Sequence, residues 1–189
     1  ICVATAVSKL PGWDVEVIDE NNYRFPGPVD AAGAPDHAAL QTQRSAAAAG
    51  FYGGLSCTTP RLEEVAALYR RAGVFTVGGG HHLTAEPEAS LGAGLDVIVC
   101  GEGEHAIAEL LAARDAGRPL DEVEGLSFLR DGRLVSTPER APLEYFEDQP
   151  LPDFGLLRYA RVTVYPISRI RGCGMNCEFC AVKGRARCA

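Results

Sequence analysis

Three cysteines lie within eight positions near the end of the sequence, in the stretch RGCGMNCEFC. Cys173 and Cys177 are separated by three residues, and Cys177 and Cys180 by two. Structural zinc sites usually take four protein ligands, and a ferredoxin cluster also takes four thiolates. Three thiolates instead leave one coordination position open for a small molecule, as catalytic metal sites do. The spacing therefore indicates a metal centre that binds a substrate or cofactor directly.

A fourth nearby cysteine leaves an alternative for this stretch. Cys188 follows Cys180 by eight residues and could complete a structural zinc site with four thiolates. The remaining cysteines are scattered in or beside apolar stretches, where free cysteine is usually a small buried hydrophobic residue: Cys2, Cys57 and Cys100. Seven cysteines without a secretory signal argue against a disulfide scaffold and predict a reducing, cytoplasmic location.

The charge is divided unevenly along the chain. Residues 1–157 carry 11 Lys and Arg against 24 Asp and Glu, a net charge of −13, whereas residues 158–189 carry 7 against 1, a net charge of +6. The acidic body predicts no general nucleic-acid binding, which needs a basic surface. The basic end coincides with the cysteines and indicates an anion there. The longest apolar runs are too short to span a bilayer, so no membrane partner is expected.

Apolar runs bounded by turn residues alternate with helical patterns through the first two thirds of the chain. Strands are predicted at 13–19, 50–57, 74–80 and 95–100, and helices at 59–73, 83–94 and 101–117. This alternation predicts an α/β fold with a doubly wound, mostly parallel sheet. Residues 28–50 are rich in alanine and predict part helix and part loop.

The pattern changes after Pro119. Asp131–Gly132 stands between two short β-like runs and predicts a hairpin. Residues 141–157 are rich in proline and acidic residues and predict a linker, and a further strand is predicted at 162–170, directly before the cysteines. The chain is therefore divided into an α/β domain, a hairpin with a linker, and the start of a second domain, at residues 1–118, 119–158 and 159–189.

The cysteine stretch resembles the signature of radical S-adenosylmethionine (SAM) enzymes. The matching features are the CxxxCxxC spacing, the aromatic Phe179 before the last cysteine and the Arg171–Gly172 pair before the first. The resemblance implies that Cys173, Cys177 and Cys180 hold a 4Fe–4S cluster whose open iron is chelated by SAM. It implies that Phe179 packs beside the adenine of SAM or covers the cluster. An electron from the cluster would then cleave SAM to a 5′-deoxyadenosyl radical.

Residues 13–117 are similar to the cobalamin-binding domain that precedes the radical domain in one class of these enzymes. The similarity runs through VFTVGGGHHLTAEPEASLGAGLDVIVCGEGEHAIAELL and includes the SCTT segment. It implies a Rossmann-like or flavodoxin-like domain, with the nucleotide tail of cobalamin lying along the strand ends at Ser56, Thr58, Gly78, Gly79 and Gly80. The family's first strand, and the loop that carries a cobalt ligand in methyltransferase-type domains, would precede Ile1. His81 and His82 are alternative cobalt ligands.

Together these resemblances imply the front part of a cobalamin-dependent radical SAM enzyme, ending soon after the cluster loop and inactive alone. Methyl transfer to an unactivated carbon or to phosphorus is the implied reaction. A small-molecule substrate and an electron donor such as flavodoxin or ferredoxin are the implied partners. Two alternatives stay open. One is a radical methylthiotransferase acting on transfer RNA, with Cys2, Cys57 and Cys100 holding a second cluster; the other is a non-catalytic corrinoid-binding module with a zinc site of four cysteines.

Overall fold

A mixed five-stranded sheet organises the computed structural model, which describes residues 1–142, 151–168, 170–173, 175, 177–180 and 187–188. The strands are β1 Ala48–Tyr52, β2 Phe75–Gly79, β3 Val97–Val99, β4 Leu126–Arg130 and β5 Arg133–Ser136. They lie side by side in chain order. The pairs β1–β2 and β2–β3 are parallel, and the pairs β3–β4 and β4–β5 are antiparallel. The predicted α/β class is confirmed, with the parallel strands carrying the helical connections.

The helices are α1 Cys2–Ser8, α2 His37–Gln43, α3 Thr59–Arg71, α4 His81–Ala85, α5 Pro87–Ala93 and α6 Gly103–Asp115. The helices predicted at 59–73, 83–94 and 101–117 are confirmed as α3, α5 and α6. Gly73 follows α3 with a φ of +79°, the left-handed conformation that ends a helix. No helix within the described ranges is long and apolar enough to cross a membrane.

Helices cover both faces of the sheet. Successive side chains of a strand point to opposite faces, so β3 contributes to two buried clusters. Val97 and Val99 pack into one buried cluster together with Leu110 of α6. Ile98 packs into a second buried cluster together with Leu91 of α5. All three residues of β3 are buried, which explains why this strand reads in the sequence as a continuous apolar run.

The hairpin predicted at Asp131–Gly132 is confirmed and extends the sheet. Asp131 and Gly132 have φ values of +51° and +73°, as a two-residue turn with positive φ at both central positions requires. The turn joins β4 to β5, and β4 pairs with β3, with Phe128 opposite Val97. The hairpin therefore continues the same sheet beyond residue 118, while the division of the chain at 118 and 158 stays a prediction.

Two predicted strands are wrong. Residues 13–19 are extended but join no ladder, and Val17 forms one isolated bridge, to Leu157. Residues 162–168 also form no strand, and Val164 and Ile167 are exposed there. In both segments the apolar alternation indicates an extended backbone but does not determine whether a neighbouring strand pairs with it. A short ladder follows at Ile170–Arg171 (β6), paired antiparallel with Arg187–Cys188 (β7).

Residues 151–161, called the arm below, return to the start of the chain and pack against it. The Asp153 amide donates to the Thr5 hydroxyl at 2.9 Å. The Arg158 guanidinium contacts the Glu16 carboxylate at 2.6 Å. The arm thereby ties the segment before the cysteines to the α/β domain. Part of the predicted linker lies in the arm, and residues 143–150 of it lie outside the described residues.

A charged network joins the chain after residue 13 to α2 and α3. The Glu20 carboxylate accepts hydrogen bonds from Arg61 at 2.8 Å and contacts His37 Nε2 at 3.0 Å. His37 Nδ1 lies 3.2 Å from the Tyr69 hydroxyl. Burial raises the pKa of Glu20, but the hydrogen bonds and charges of Arg61 and His37 outweigh it, so this pKa lies below its ordinary value of 4.5.

We expect Glu20→Gln to remove stability above pH 4.5 and to remove progressively less as the pH falls. A carboxyl with a lowered folded-state pKa contributes stability above its unfolded pKa and loses it as the pH falls through the folded pKa. The expected loss at pH 7 is about 1 kcal/mol, because the Glu20 side chain is 33% exposed and partly screened. Urea unfolding at pH 7 and pH 3.5 measures it. Glu64→Gln is the control, because Glu64 contacts the same Arg61 but is 70% exposed; an equal loss in both variants would contradict the assignment.

Candidate cofactor-binding site

The loops that follow β1, β2 and β3 meet at one edge of the sheet, called the carboxyl edge below. They comprise residues 53–58, 80–82 and 100–104. The Gly53 amide donates to the Gly79 carbonyl at 2.8 Å, and the His82 amide donates to the Gly53 carbonyl at 3.1 Å. The carboxyl ends of parallel strands are where open α/β sheets bind ligands. Of the five positions predicted for cobalamin, Ser56, Thr58 and Gly80 lie in these loops, Gly79 is the last residue of β2 beside them, and Gly78 lies within the strand.

The three predicted glycines differ in what a side chain would meet. A Cβ on Gly78 would lie 2.4 Å from Leu95 and 2.8 Å from Leu83, so this glycine makes room for the protein's own core. A Cβ on Gly80 would lie 2.7 Å from the Gly53 carbonyl oxygen, so Gly80 allows two backbones to meet. A Cβ on Gly79 would meet nothing closer than 3.5 Å. Gly79 is therefore the glycine with room beside it for a ligand.

The two predicted hydroxyl residues are exposed in the short 3₁₀ turn Ser56–Thr58. The Thr58 hydroxyl donates to the Leu55 carbonyl at 2.9 Å and keeps its acceptor capacity. The Ser56 hydroxyl lies 3.1 Å from His82 Nδ1. His82 was predicted only as an alternative cobalt ligand; the structure instead pairs it with Ser56 across two loops. Its neighbour His81 is exposed at the start of α4.

An arginine from the cysteine segment joins the carboxyl edge. Arg171 makes two hydrogen bonds to the Glu104 carboxylate, at 3.0 Å and 2.5 Å. Its guanidinium also lies 3.8 Å from the carboxylate of Glu102, which precedes α6 as its N-cap residue. No signal in the sequence pairs Arg171 with Glu104, since 67 residues separate them.

This ion pair is largely withdrawn from water. The Glu104 side chain is 5% exposed and the Arg171 side chain 26%. Burial raises the pKa of Glu104. The hydrogen bonds from Arg171, a backbone hydrogen bond and the Arg171 charge lower this pKa by more than burial raises it, so the net shift is downward. The hydrogen bonds to Glu104 raise the pKa of Arg171. Both groups are therefore held in their charged forms.

The three predicted cluster ligands lie close together in sequence but are not assembled into a metal site. Cys173 is exposed, whereas Cys177 and Cys180 are half-buried. The Cys180 amide donates to the Cys177 carbonyl at 3.2 Å, which forms a turn. No group of three His, Cys, Asp or Glu side chains within the described residues is arranged to hold a metal. The Phe179 side chain is 94% exposed and covers nothing here.

The B12 binding domain family model matches residues 2–111. The chain belongs to the B12-binding domain family. The match includes β1, β2 and β3, and with them the carboxyl edge. The predicted cobalamin-binding domain is thereby confirmed as the fold of the first part of the chain.

The B12-binding domain and its flanking residues are similar to parts of longer proteins. A protein named as an uncharacterized methyltransferase from Pyrococcus horikoshii is 31% identical over 140 residues, which is 68% of this chain and 30% of that protein. The anaerobic magnesium-protoporphyrin IX monomethyl ester cyclase of Rubrivivax gelatinosus is 32% identical over 120 residues, which is 57% of this chain and 21% of the cyclase. The chain thus spans less than a third of the length of either relative.

A solved structure is also similar to part of this chain. It is the radical SAM methyltransferase TsrM from Kitasatospora setae with cobalamin and a 4Fe–4S cluster bound. The TM-score is 0.49 and the sequence identity 20%, over 61% of this chain and 22% of TsrM.

The residues at the carboxyl edge of the B12-binding domain fit a corrinoid. Gly79 leaves space beside the end of β2, and the exposed Ser56 and Thr58 supply hydroxyl groups for polar parts of the ligand. The cysteine loop fits an iron–sulfur cluster in its donor chemistry, because it offers three cysteine sulfurs within eight positions.

The cysteines of the alternative predictions lie in different parts of the chain. Cys57 is exposed in the 3₁₀ turn, and Cys100 Sγ lies 3.6 Å from the Ser127 hydroxyl. Cys2 begins α1. These three join no metal-holding group in the described part of the chain. The backbone of Cys188 pairs with Ile170, three residues before Cys173.

Proposed function

We propose that this chain is the front part of a cobalamin-dependent radical SAM enzyme that transfers a methyl group to an unactivated carbon or to phosphorus. The observation that carries the proposal is the position of Arg171. It begins the RGCGMNC segment, and its guanidinium is bound to Glu104 at the carboxyl edge of the B12-binding domain. A loop of three thiols is thereby attached to the edge at which the corrinoid would bind.

In this proposal each part of the site has a defined role. Cys173, Cys177 and Cys180 would hold a 4Fe–4S cluster and leave its fourth iron open to SAM. When bound, such a cluster supplies the electron for reductive cleavage of SAM. Phe179 would pack on the adenine of SAM, because an aromatic side chain that is 94% exposed gains free energy when a flat apolar surface covers it.

The polar residues of the carboxyl edge would orient the corrinoid. Ser56 and Thr58 would accept or donate hydrogen bonds to its nucleotide tail, and Gly79 would let the tail approach the backbone of β2. A small-molecule substrate and an external electron donor such as flavodoxin or ferredoxin belong to the same proposal. The net charge of −13 over residues 1–157 supports a small-molecule substrate over a nucleic acid.

Cyclisation is the second candidate reaction. It is favoured by the similarity of 32% to the monomethyl ester cyclase, which matches that of 31% to the methyltransferase. Incubation of the full-length protein with SAM that is labelled on its methyl group distinguishes the two reactions. Label in the substrate product supports methyl transfer, whereas unlabelled product with release of 5′-deoxyadenosine supports cyclisation.

The test of the proposed function is anaerobic reconstitution of the full-length protein with iron, sulfide and hydroxocobalamin. About four irons per chain, together with a corrinoid absorption band that survives desalting, supports the proposal. Iron without corrinoid would overturn the cobalamin part. Zinc with neither would return the cysteines to a structural site, and about eight irons would favour the methylthiotransferase alternative with its second cluster.

We expect Gly79→Val to lower corrinoid retention by about ten-fold or more, because the new side chain fills the space beside the end of β2. Equilibrium binding of hydroxocobalamin to the full-length protein measures the effect. Gly50→Val is the matched control. It introduces the same side chain in the neighbouring strand, where a Cβ meets nothing within 4 Å. Equal affinity in Gly79→Val and the parent protein, with both folded, would exclude Gly79 from the corrinoid site.

A further inference from the structure

We infer that Arg171 and Glu104 form a latch that positions the cysteine loop against the carboxyl edge of the B12-binding domain. This inference rests on the proposed function, because it assigns the latch the task of setting the position of the cluster relative to the corrinoid. Arg171 is in this sense a positioning residue and Glu104 its anchor.

The geometry of the contact is that of a specific pair. Both terminal nitrogens of Arg171 reach the two oxygens of Glu104, at 3.0 Å and 2.5 Å. Such a bidentate fork fixes orientation as well as distance, and a lysine ammonium cannot reproduce it. Glu102 adds a second carboxylate at 3.8 Å from the same guanidinium. The arginine is therefore held from one side by two acidic residues of a single turn.

Burial separates this pair from the ion pairs at the surface. The Glu104 side chain is 5% exposed, whereas the side chains of Arg118 and Glu122 are 49% and 52% exposed. An exposed pair contributes little, but removing one partner of a buried pair leaves an uncompensated charge at a large cost. Loss of Arg171 should therefore release the segment that it holds.

The anchor is rigid and the segment that it holds is short. Glu104 lies in the first turn of α6, and Ala106 and Leu110 of that helix are fully buried. Cys173 follows Arg171 by two residues, which limits its Cα to within about 7 Å of the Arg171 Cα. Cys177 is six residues away and can lie up to about 20 Å from it. The latch thus restricts the first predicted ligand most strongly.

The experiment uses the full-length protein loaded anaerobically with iron, sulfide and hydroxocobalamin. The variants are Arg171→Gln, Glu104→Gln, the double variant and Arg171→Lys, and Arg118→Gln is the control for loss of an exposed pair. Hydrogen–deuterium exchange is measured on the peptide that covers residues 165–173. Spin–spin interaction between the reduced cluster and cob(II)alamin is measured by electron paramagnetic resonance.

The latch predicts about ten-fold faster exchange in either single charge-removing variant and no further increase in the double variant, because both changes break one contact. It predicts that the spin–spin interaction weakens in both while the iron and cobalamin contents stay at the parent level. Arg171→Lys should restore part of the interaction, and Arg118→Gln should change neither readout.

Two outcomes overturn the latch. One is unchanged exchange and spin–spin interaction in Arg171→Gln; the other is effects of Arg171→Gln and Glu104→Gln that simply add. Failure of the proposed function is distinguishable, because the parent protein would then bind no cluster or no cobalamin whatever the exchange data show. A variant that fails to fold is recognised by its thermal unfolding, and the conservative Arg171→Lys then decides the question.

Discussion

Replacing Cys177 with alanine in the full-length protein is expected to lower the bound iron from about four atoms per chain to fewer than about one. Cys177 is the middle residue of the CxxxCxxC motif, and its removal would leave two thiolates for the proposed cluster, which takes only three protein ligands. The broad visible absorption of the cluster should disappear together with the iron. Iron analysis and visible spectra after anaerobic reconstitution and desalting measure both.

The controls for this loss are two cysteines outside the motif. Cys57→Ala removes an exposed thiol from the 3₁₀ turn after β1 and should leave the iron content unchanged. Cys188→Ala distinguishes an iron–sulfur cluster from a zinc site, because Cys188 is a ligand only in the zinc alternative. A protein that binds zinc and loses it in both Cys177→Ala and Cys188→Ala would contradict the cluster assignment.

Gly80→Ala is expected to lower the free energy of unfolding by about 3 kcal/mol or more. Gly80 has a φ of 118° and a ψ of 167°, a region of backbone space that is essentially restricted to glycine. The added Cβ would also lie 2.7 Å from the Gly53 carbonyl oxygen, which is backbone and cannot rotate away. Both effects act at the contact between the ends of β1 and β2. Urea unfolding at neutral pH measures the loss.

Two further glycines separate the causes of this loss. Gly101→Ala tests positive φ alone, since its φ is 82° and a Cβ there meets nothing within 4 Å, so we expect a loss of about 1–2 kcal/mol. Gly92→Ala lies in α5 with open space beside it and should be neutral, or stabilise by up to about 1 kcal/mol. Equal losses in Gly80→Ala and Gly101→Ala would show that the approach of Gly53 contributes nothing.

Local signals in the sequence were sufficient for the helices α3, α5 and α6 and for the turn. Gly73 ends α3 and Asp131–Gly132 forms the hairpin because these conformations depend on the residues themselves. Residues 13–19 carry an equally clear alternation but form no strand, since a ladder needs a neighbour and Val17 finds one only at Leu157. A pattern within one segment therefore predicts its backbone conformation better than its pairing.

The candidate site was predictable to the extent that topology determines it. Parallel strands bring their carboxyl ends together, so the positions of Ser56 and Gly79 at one edge follow from the strand assignments. The packing role of Gly78 could not be predicted in this way, because the side chains that lie against it, Leu83 and Leu95, belong to other parts of the chain. The Arg171–Glu104 contact depends on how two distant segments dock, which no local pattern encodes.

The arm has a consequence for the order of events during protein synthesis. Its contacts with Thr5 and Glu16 join residues 148 and 142 positions apart. At 5–20 residues per second, a ribosome makes Arg158 roughly 7–28 s after Glu16. Helices and hairpins form in microseconds, so the elements from α3 to β5 have ample time to form in that interval. The arm and the cysteine loop therefore emerge after the elements from α3 to β5 have had time to form, and Val17 waits for its backbone partner until Leu157 has been made.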